Sequence, residues 1–274
     1  SRMKIGVLGG GQLARMLALA GIPLGHSFTF LDPAPNACAL ELGQHLLGGF
    51  GDEDKIRELA RTSDLITWEF ENFPSGPVAK VADLVPVRPS PAALAVSQDR
   101  LNEKELFKKL GIPVAPFAAV NSLDELRRAV SHIGLPAVLK TRTMGYDGKG
   151  QRILRKPEDI EPAWDALGAQ LLILEAFVRF DREVSLMGVR GLDGSTVFYP
   201  LAENEHRHGI LFTSRVREAE PVQAAAVSHL KRLLDHLGYV GLLTLEMFQR
   251  GNELFANEMA TRVHNSGHWS IEGS

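Results

Sequence analysis

The sequence predicts a protein of α/β and α+β class, with an N-terminal Rossmann-like domain built on a parallel sheet and a mixed C-terminal part. Over the first 95 residues, short apolar runs alternate with helical patterns, and this alternation is typical of parallel βαβ units. From residue 136 onward, strand patterns dominate and two or three helices interrupt them. A length of 274 residues also suggests two compact domains, at roughly 150 residues each.

The first domain is predicted to cover residues 1–95 and to end in a proline-marked stretch at 86–91. Its predicted helices cover residues 12–20 and 52–61. Its predicted strands cover residues 4–10, 27–32, 45–50 and 65–70.

The second part is predicted to begin with an amphipathic helix at 98–110. A stiff, proline-containing linker follows at 112–116, and a capping box formed by Ser122 and Glu125 opens the next helix. A long helix is predicted at 221–237. The predicted strands are 137–142, 151–155, 171–178, 183–190, 196–202 and a hairpin of 240–249 with 253–262.

The composition excludes several classes of protein. Hydrophobic residues make up 45% and charged residues 23% of the chain, which is normal for a globular protein, and no apolar run approaches the roughly 18 residues of a membrane span. A net charge of −3 provides no basic field for nucleic acid. The single cysteine, Cys38, excludes an internal disulfide and a multi-cysteine zinc site. No signal peptide opens the chain, so we expect a cytoplasmic protein.

The turn after the first strand carries a dinucleotide-type fingerprint. Residues 9–14 read Gly-Gly-Gly-Gln-Leu-Ala, which fits G-x-G-x-x-A, and Asp32 closes the next strand. The glycines let the backbone approach a phosphate, and the helix amino end supplies amides and positive potential. Taken alone this pattern suggests NAD. The same turn also serves other phosphorylated ligands or is a plain tight turn, and nothing in the second part supports NAD.

A lysine and a glycine-rich loop in the second part indicate a nucleotide site. Lys140 ends an apolar strand, and residues 145–151 follow with the sequence Gly-Tyr-Asp-Gly-Lys-Gly-Gln. Such a loop can close its backbone amides over a triphosphate while the ammonium group neutralises charge. The alternative is an ordinary hairpin turn beside a solvated lysine. Glu175, alone in an apolar strand, either meets ribose hydroxyls or is exposed at the strand end.

Two glutamates in the C-terminal hairpin suggest a metal site. Glu246 and Glu258 lie in apolar strands, and a turn at 251–253 pairs them almost directly across the ladder. Opposed like charges destabilise a sheet unless a cation lies between them, and Mg²⁺ takes one or two carboxylates and leaves positions for phosphate oxygens. A register shifted by one residue would leave two ordinary carboxylates. The polar block 262–269 suggests a site for a small anionic substrate, although a surface loop can be equally polar.

Lys140, the 145–151 loop, Glu175 and the Glu246/Glu258 pair, in this order, resemble the nucleotide site of the ATP-grasp ligases. Within that family, four further stretches are similar to the 5-(carboxyamino)imidazole ribonucleotide synthases of purine biosynthesis. These stretches are residues 9–16 (GGGQLARM), 68–72 (WEFEN), 193–200 (DGSTVFYP) and 262–269 (RVHNSGHW).

The resemblance implies a pre-ATP-grasp domain at 1–95, a linker helix with the small ATP-grasp lobe at 96–175, and the large lobe at 176–274. It implies a ligase that uses ATP and Mg²⁺ to convert bicarbonate to carboxyphosphate. The exocyclic amine of 5-aminoimidazole ribonucleotide is then carboxylated, and ADP and phosphate are released. It also implies a cytoplasmic homodimer.

Residue roles follow from the same resemblance. The implied catalytic positions are Tyr146, Asp147, Arg262, His264 and Asn265. The implied ATP-binding positions are Arg100, Lys140, Gly145, Gly148, Lys149, Gly150, Gln151, Glu175, Ala176, Phe177, Val178, Glu183, His206, Asn257 and Glu258. The implied substrate-binding positions in the first domain are Gln12, Leu13 and Glu71, and the implied metal ligands are Glu246 and Glu258. Either Asp147 or His264 would accept the proton of the attacking amine.

Two departures from the family pattern modify these expectations. Thr261 stands where relatives usually have proline, a change that alters a strand end but removes no functional group. The family also continues into a C-terminal segment with a Lys/Arg-rich motif, whereas this chain stops at Ser274. We therefore expect intact ATP binding and impaired carboxylation. The alternatives are another ATP-grasp carboxylate–amine ligase, or an ATP-binding form without turnover.

Overall fold

The computed structural model describes residues 2–145, 149–168, 170–208, 210–216, 220–268 and 270. The first domain contains a parallel sheet, as predicted, and its strands lie in the order β3-β2-β1-β4. These strands are β1 (Lys4–Leu8), β2 (Ser27–Asp32), β3 (Gln44–Leu47) and β4 (Leu65–Trp68). Val7 and Leu8 are both fully buried, on opposite faces of the sheet, so each face packs against helices.

Helices cover both faces of this sheet. Ala14 and Ala18 pack on the face of Val7, and Ile56 and Leu59 pack on the face of Leu8. The helices are α1 (Gln12–Gly21), α2 (Glu53–Thr62), α3 (Ser75–Val81) and α4 (Pro91–Ser97). The sequence did not predict α3 and α4, which have only seven residues each and contain proline.

Helix α5 (Arg100–Lys109) connects the first domain to the second part. Its N-cap is Asp99, whose Oδ1 accepts the amide of Leu101 at 2.9 Å. The carboxylate of Asp99 also receives two hydrogen bonds from Arg142, at 3.1 and 2.6 Å. The start of α5 is therefore fastened to the strand end that follows Lys140.

A four-stranded antiparallel sheet, the small sheet, follows in the order β5-β8-β6-β7. Its strands are β5 (Phe117–Val120), β6 (Ala137–Thr141), β7 (Gln151–Leu154) and β8 (Leu172–Ala176), and its helices are α6 (Leu123–Ile133) and α7 (Ile160–Leu167). Leu126 of α6 and Leu139 of β6 are fully buried in one core. Ser122 caps α6 by accepting the amide of Glu125 at 3.1 Å, as predicted.

The C-terminal half forms the large sheet, in the order β12-β11-β9-β13-β14, with β10 paired to β9. Its strands are β9 (Arg182–Arg190), β10 (Thr196–Phe198), β11 (Ala202–Arg207), β12 (Ile210–Val216), β13 (Gly241–Arg250) and β14 (Glu253–Ala260). Helix α8 (Gln223–His236) packs Leu230 and Leu233 against this sheet. The linker at 112–116 is also attached to it, because the amide of Ala256 donates to the carbonyl of Pro113 at 2.8 Å.

The prediction of one strand over 196–202 was wrong. Strand β10 ends at Phe198 and β11 begins at Ala202, because Pro200 between them has no N–H to donate to a ladder. The side chain of Gln223 bridges this gap, donating to the carbonyl of Tyr199 and accepting the amide of Leu201. Among the described residues, no helix combines the length and apolar character needed to cross a membrane.

Candidate active site

A cleft of about 560 Å³ opens between the first domain, the small sheet and the large sheet. It brings together most of the predicted site residues, from segments far apart in sequence. The predicted residues that line it are Glu71, Arg100, Lys140, Gly145, Lys149, Gln151, Glu175, Ala176, Phe177, Val178, Glu183, His206, Glu246, Asn257, Glu258, Arg262, His264 and Asn265. The predicted residues Tyr146, Asp147 and Gly148 lie outside the described part of the chain.

Glu175 lies between two lysines at the base of the cleft. Nζ of Lys140 donates to its Oε2 at 2.7 Å, and Nζ of Lys104 lies 3.5 Å from its Oε1. Lys104 also donates to the backbone carbonyl of Asn257 at 2.7 Å. Exposure at a strand end, the alternative that the sequence left open for Glu175, is therefore wrong, since its side chain is only 7% exposed.

The charges in this cluster influence one another. Burial alone would raise the pKa of Glu175, but Lys104 and Lys140 outweigh burial and hold that pKa below its ordinary value. Burial lowers the pKa of Lys104, although Glu175 favours the charged lysine. Lys104 was not identified from the sequence.

Glu103, the residue before Lys104, is a second buried group that the sequence analysis missed. Its Oε2 accepts the amide of Met259 at 3.2 Å. Burial, and then the charge of Glu258, raise the pKa of Glu103 well above its ordinary value. Helix α5 therefore presents two consecutive ionisable side chains to β14, the strand that carries Glu258.

Glu246 and Glu258 occupy directly opposed positions on β13 and β14, as the sequence predicted. Burial, and then the charge of Glu258, raise the pKa of Glu246 well above its ordinary value. Glu258 is exposed to the cleft. Partial loss of solvent there would also raise its pKa, but a hydrogen bond from Glu246 and the positive charge of Arg100 lower that pKa to about 2. Of the two carboxyl groups, Glu246 is therefore the one that binds a proton more readily.

This pair fits a divalent cation. A cation between two carboxylates offsets the repulsion between their negative charges. Among the described residues, no group of three or more His, Cys, Asp or Glu could hold a metal ion, so the pair stands without further protein ligands of these types. Two carboxylates suit Mg²⁺, which keeps water and phosphate oxygens as its other ligands.

Arg262 and Glu71 meet across the top of the cleft. Nε of Arg262 donates to Oε2 of Glu71 at 2.8 Å, and its Nη1 donates to the carbonyl of Val263 at 2.9 Å. A predicted catalytic residue of the second part and a predicted substrate residue of the first domain are thus in direct contact.

A hydrogen bond determines the tautomer of His264, whose ring lies beside the carboxyl group of Glu246. Its Nδ1 accepts the amide of Ser266 at 3.1 Å, so the proton of the neutral ring lies on Nε2, 3.5 Å from Oε1 of Glu246. Burial, and then Arg262, lower the pKa of His264 to about 4. The ring is therefore neutral at pH 7.

Arg100 supports the predicted glycine-rich loop from below. Its guanidinium donates to the carbonyls of Thr141 at 3.0 Å and Gly145 at 2.7 Å. The other end of the loop returns through Gly150, whose carbonyl accepts the amide of Thr141 at 2.9 Å. Both ends of the loop are thus held beside Lys140.

The far wall of the cleft carries an aromatic pair that the sequence did not reveal. The rings of Phe180 and Phe248 stack with centroids 4.7 Å apart and planes at 15°, which provides a flat apolar surface. Nearby, the predicted residues Glu183 and His206 are hydrogen-bonded to each other. No spacing in the sequence links Phe180 to Phe248, because their proximity depends on the large sheet.

Gln12 and Leu13, predicted to bind substrate, begin α1 and are not among the residues that line the cleft. In the glycine-rich turn before them, side-chain carboxylates of the protein already accept backbone amide hydrogens. Asp32 accepts the amide of Gly10 at 2.8 Å, and Glu69 accepts the amide of Gly11 at 2.6 Å. The amides that a dinucleotide would need are already bonded, which argues against the NAD alternative.

Two family models match the chain. The ribonucleotide synthetase preATP-grasp domain matches residues 2–98, and the ATP-grasp domain matches residues 105–274. An N5-carboxyaminoimidazole ribonucleotide synthase from Pseudomonas aeruginosa is 54% identical over 272 residues, which cover 99% of this chain and 76% of that protein.

Solved structures show the same similarity. The N5-carboxyaminoimidazole ribonucleotide synthetase from Thermus thermophilus matches with a TM-score of 0.93 and 49% identity, over 98% of this chain and 74% of that one. The N5-carboxyaminoimidazole synthase from Aspergillus clavatus, in complex with ADP and 5-aminoimidazole ribonucleotide, matches with a TM-score of 0.90 and 30% identity, over 99% of this chain and 73% of that one.

Proposed function

This chain belongs to the N5-carboxyaminoimidazole ribonucleotide synthase family, and from this membership we propose how its cleft supports the ATP-dependent carboxylation of 5-aminoimidazole ribonucleotide. The γ-phosphoryl group of ATP moves to an oxygen of bicarbonate, giving ADP and carboxyphosphate. The exocyclic amine then attacks the carboxyl carbon, the C–O bond to phosphate breaks, the amine loses one proton, and phosphate leaves. Because carboxyphosphate hydrolyses in water, the reaction needs a site that excludes water from it.

The nucleotide lies along the base of the cleft. Lys140 and Arg100 supply positive charge beside the glycine-rich loop, and this charge neutralises phosphate oxygens. Glu175 is held in position by Lys140 and Lys104, where its carboxylate can accept hydrogen bonds from ribose. The stacked rings of Phe180 and Phe248 provide a wall for the base.

Glu246 and Glu258 are the residues that would hold Mg²⁺. When bound, the cation withdraws negative charge from the phosphoryl group being transferred. A bound cation would favour the ionised form of both carboxylates, because carboxyl groups bind metal ions in their deprotonated form. The opposed register of the two residues supports this assignment.

Arg262 and Glu71 serve the second half of the reaction. The carboxylate of Glu71 orients the guanidinium of Arg262. That guanidinium is placed to stabilise negative charge on the carboxyl group being transferred. Glu71 belongs to the first domain, so ribonucleotide bound there would meet the carboxyl donor at this pair.

We propose that Asp147, and not His264, accepts the proton of the attacking amine. Nδ1 of His264 already accepts the amide hydrogen of Ser266, and Nε2 carries the proton of the neutral ring, so neither ring nitrogen is placed to accept a proton from the amine. Asp147→Asn should lower kcat by about 100-fold and remove the acidic limb of the pH–rate profile. His264→Gln should keep that limb. Loss of the limb in His264→Gln, with Asp147→Asn retaining it, would reverse the assignment.

The observation that supports the proposal best is the single cleft in which Lys140, Glu258 and Arg262 meet Glu71 of the first domain. The test is ADP formation with Mg-ATP when bicarbonate and 5-aminoimidazole ribonucleotide are added separately and together. We expect release of ADP to rise when both are present, and Glu258→Gln to abolish it. Glu253→Gln, an exposed change on the same hairpin, is the matched control. Full activity in Glu258→Gln would disprove the site.

A homodimer and a cytoplasmic location are further properties that we propose from family membership. Sedimentation velocity at micromolar concentration should report twice the mass of one chain. A single-chain mass throughout the concentration range would contradict the dimer.

A further inference from the structure

A chain of hydrogen bonds connects three strands of the large sheet to the turn at 264–267, which follows β14. Oγ of Ser214 on β12 donates to the backbone carbonyl of Ser266 at 3.1 Å. The same oxygen lies 2.9 Å from the side-chain amide of Asn204 on β11, and that amide lies 3.0 Å from Oγ of Ser185 on β9. The turn is thus bonded to side chains that are distant from it in sequence.

This chain lies on the face of the large sheet that forms the cleft. Ser185 is paired with Glu246 on β13, and Asn204 is paired with Glu183 on β9. Paired residues lie on the same face of a sheet, and both glutamates line the cleft. Asn204 and Ser185 are only 5% and 2% exposed, and neither they nor Ser214 line the cleft themselves. Any effect they have on the reaction therefore acts through the residues that they hold.

The hydrogen-bonding capacity of the chain is fully used. The carbonyl of Ser266 can only accept, so the single hydroxyl hydrogen of Ser214 goes to it. Ser214 then needs a donor, and the side-chain amide of Asn204 supplies one when its NH₂ end points toward Ser214 and its oxygen toward Ser185. Because buried polar groups are costly when they lose a partner, removal of one member disturbs its neighbours.

The turn also lies directly on the sheet. Ser266 and Gly267 are both buried. A Cβ atom at Gly267 would overlap the sulfur of Met187 on β9, so a larger residue there would push the turn away from the sheet. The turn is therefore attached by close packing at Gly267 and by the hydrogen bond from Ser214 at Ser266.

This attachment determines where His264 and Asn265 reach the cleft. Both side chains line it. The amide of Ser266 donates to Nδ1 of His264 at 3.1 Å, while the carbonyl of Ser266 accepts from Ser214. Ser266 is thus bound on both sides, by the ring that it orients and by the strand that holds it. A shift of Ser266 would move the ring and the neighbouring Asn265 together.

We infer that Ser214 and Asn204 are positioning residues for the carboxylation reaction: through the carbonyl of Ser266 they hold His264 and Asn265 in the geometry that meets bicarbonate. The identity of bicarbonate as the group received there rests on the proposed function. The attachment of the turn by Ser214 does not, because it concerns the protein alone.

The test compares wild-type protein with Ser214→Ala, which removes the hydroxyl, and Ser214→Thr, which keeps it. Thr213→Val is the control, because it removes a hydroxyl from the adjacent residue of β12, which is paired with Glu205 on the other face of the sheet. ADP formation gives kcat and the KM values for bicarbonate and ATP. Hydrogen–deuterium exchange without substrates, read by mass spectrometry, reports the amides of residues 264–268 directly.

In Ser214→Ala, we expect these amides to exchange about 5-fold faster than in wild type, because the turn has lost its bond to β12. We expect kcat to fall about 10-fold and KM for bicarbonate to rise about 5-fold, since a small misplacement of oriented groups is costly. KM for ATP should change less than about 2-fold. Ser214→Thr should recover most of both losses, and Thr213→Val should behave as wild type.

Asn204→Ala tests the next member of the chain. It leaves the hydroxyl of Ser214 without its donor, so we expect the same pattern with about half the change in exchange rate. The double variant with Ser214→Ala should be no slower in kcat than the slower single variant, because both residues act through one carbonyl. Multiplied losses in the double variant would remove Asn204 from the inference.

Unchanged exchange at 264–268 in Ser214→Ala would overturn the attachment of the turn. Faster exchange with a wild-type kcat and bicarbonate KM would overturn the positioning role. An equal rise in KM for ATP, or no recovery in Ser214→Thr, would indicate a general structural effect and would overturn that role as well. Absence of turnover stimulated by bicarbonate and ribonucleotide in wild type would disprove the proposed function, and the exchange comparison would still decide the attachment by Ser214.

Discussion

Nε of Arg262 donates to Oε2 of Glu71 at 2.8 Å, although 191 residues separate them in the sequence. Both side chains are largely buried, with 26% and 17% of their surface exposed. The pair is a direct polar link between the first domain and the segment after β14. The position of the guanidinium therefore depends on the packing of the first domain.

Removing the guanidinium should affect chemistry more than nucleotide binding. For Arg262→Met we expect kcat to fall by about 100-fold or more, because an oriented donor to developing charge is lost. Affinity for Mg-ATP, measured by calorimetry, should change less than about 3-fold. Arg250→Met removes an exposed arginine from the end of β13 and should have no effect. A wild-type kcat in Arg262→Met would exclude Arg262 from the mechanism.

The raised pKa of Glu246 predicts how stability varies with pH. The folded pKa of Glu246 lies above its ordinary value of 4.5, so its contribution to stability is complete below about pH 4.5 and is lost as pH rises through the folded pKa. Glu246→Gln stays neutral at every pH and can still donate to Glu258. With metal chelated, wild type should therefore lose more stability than this variant between about pH 5 and pH 8, as measured by urea midpoints. Parallel pH profiles would show that Glu246 does not hold the proton.

The contribution of the buried charge of Lys104 to stability can be measured in the absence of substrate. Lys104→Met should destabilise the protein by about 3 kcal/mol, because Glu175 keeps its buried charge with only Lys140 as partner. Adding Glu175→Gln should recover part of this loss in urea unfolding. Lys109→Met, an exposed change on the same helix, is the control. No recovery in the double variant would show that Lys104 acts through the carbonyl of Asn257 alone.

We expect Thr261 to tolerate replacement by an apolar residue without loss of stability or turnover. Its side chain is buried, and its Oγ1 has no hydrogen-bond partner among the described residues. Thr261→Val replaces an unsatisfied hydroxyl with a methyl group, so stability should stay equal or rise by up to about 1 kcal/mol. Turnover should be unchanged. A loss of stability in urea unfolding would indicate a hydrogen bond that forms in solution.

The parts of the fold that follow local rules were predictable. The pairing of Glu246 with Glu258 was correct, but it depends on a β-bulge between Glu246 and Met247 that the sequence did not reveal. The register that begins with Arg250 opposite Glu253 would by itself place Asn257 opposite Glu246. Strands β11 and β12 were missed because β11 is mostly polar and β12 has apolar residues only in its first half and at its end. Backbone pairing of β12 with β11, and of β11 with β9, holds them in the large sheet.

The site was less predictable where its contacts span the chain. Glu103 lies four residues before Phe107 and so shares the apolar face of α5, which was a readable signal that a charge is buried. Its partner, the amide of Met259, lies 156 residues away, and no local pattern identifies it. The role of Lys140 was predicted from a sequence motif, and that prediction needed no information on long-range contacts.

The chain enters and leaves the small sheet at two neighbouring strands. The chain enters at β5 and leaves at β8, which are paired neighbours, and the amide of Ala176 donates to the carbonyl of Pro116 at 2.8 Å. In topological terms, residues 117–176 are an insertion whose ends nearly touch. Such a unit can be exchanged by recombination without a change in the strand connections of the remaining sheets. It would bring its own version of Lys140 and Glu175 and leave Glu246 and Glu258 behind, so the two ends of the nucleotide site are free to evolve separately.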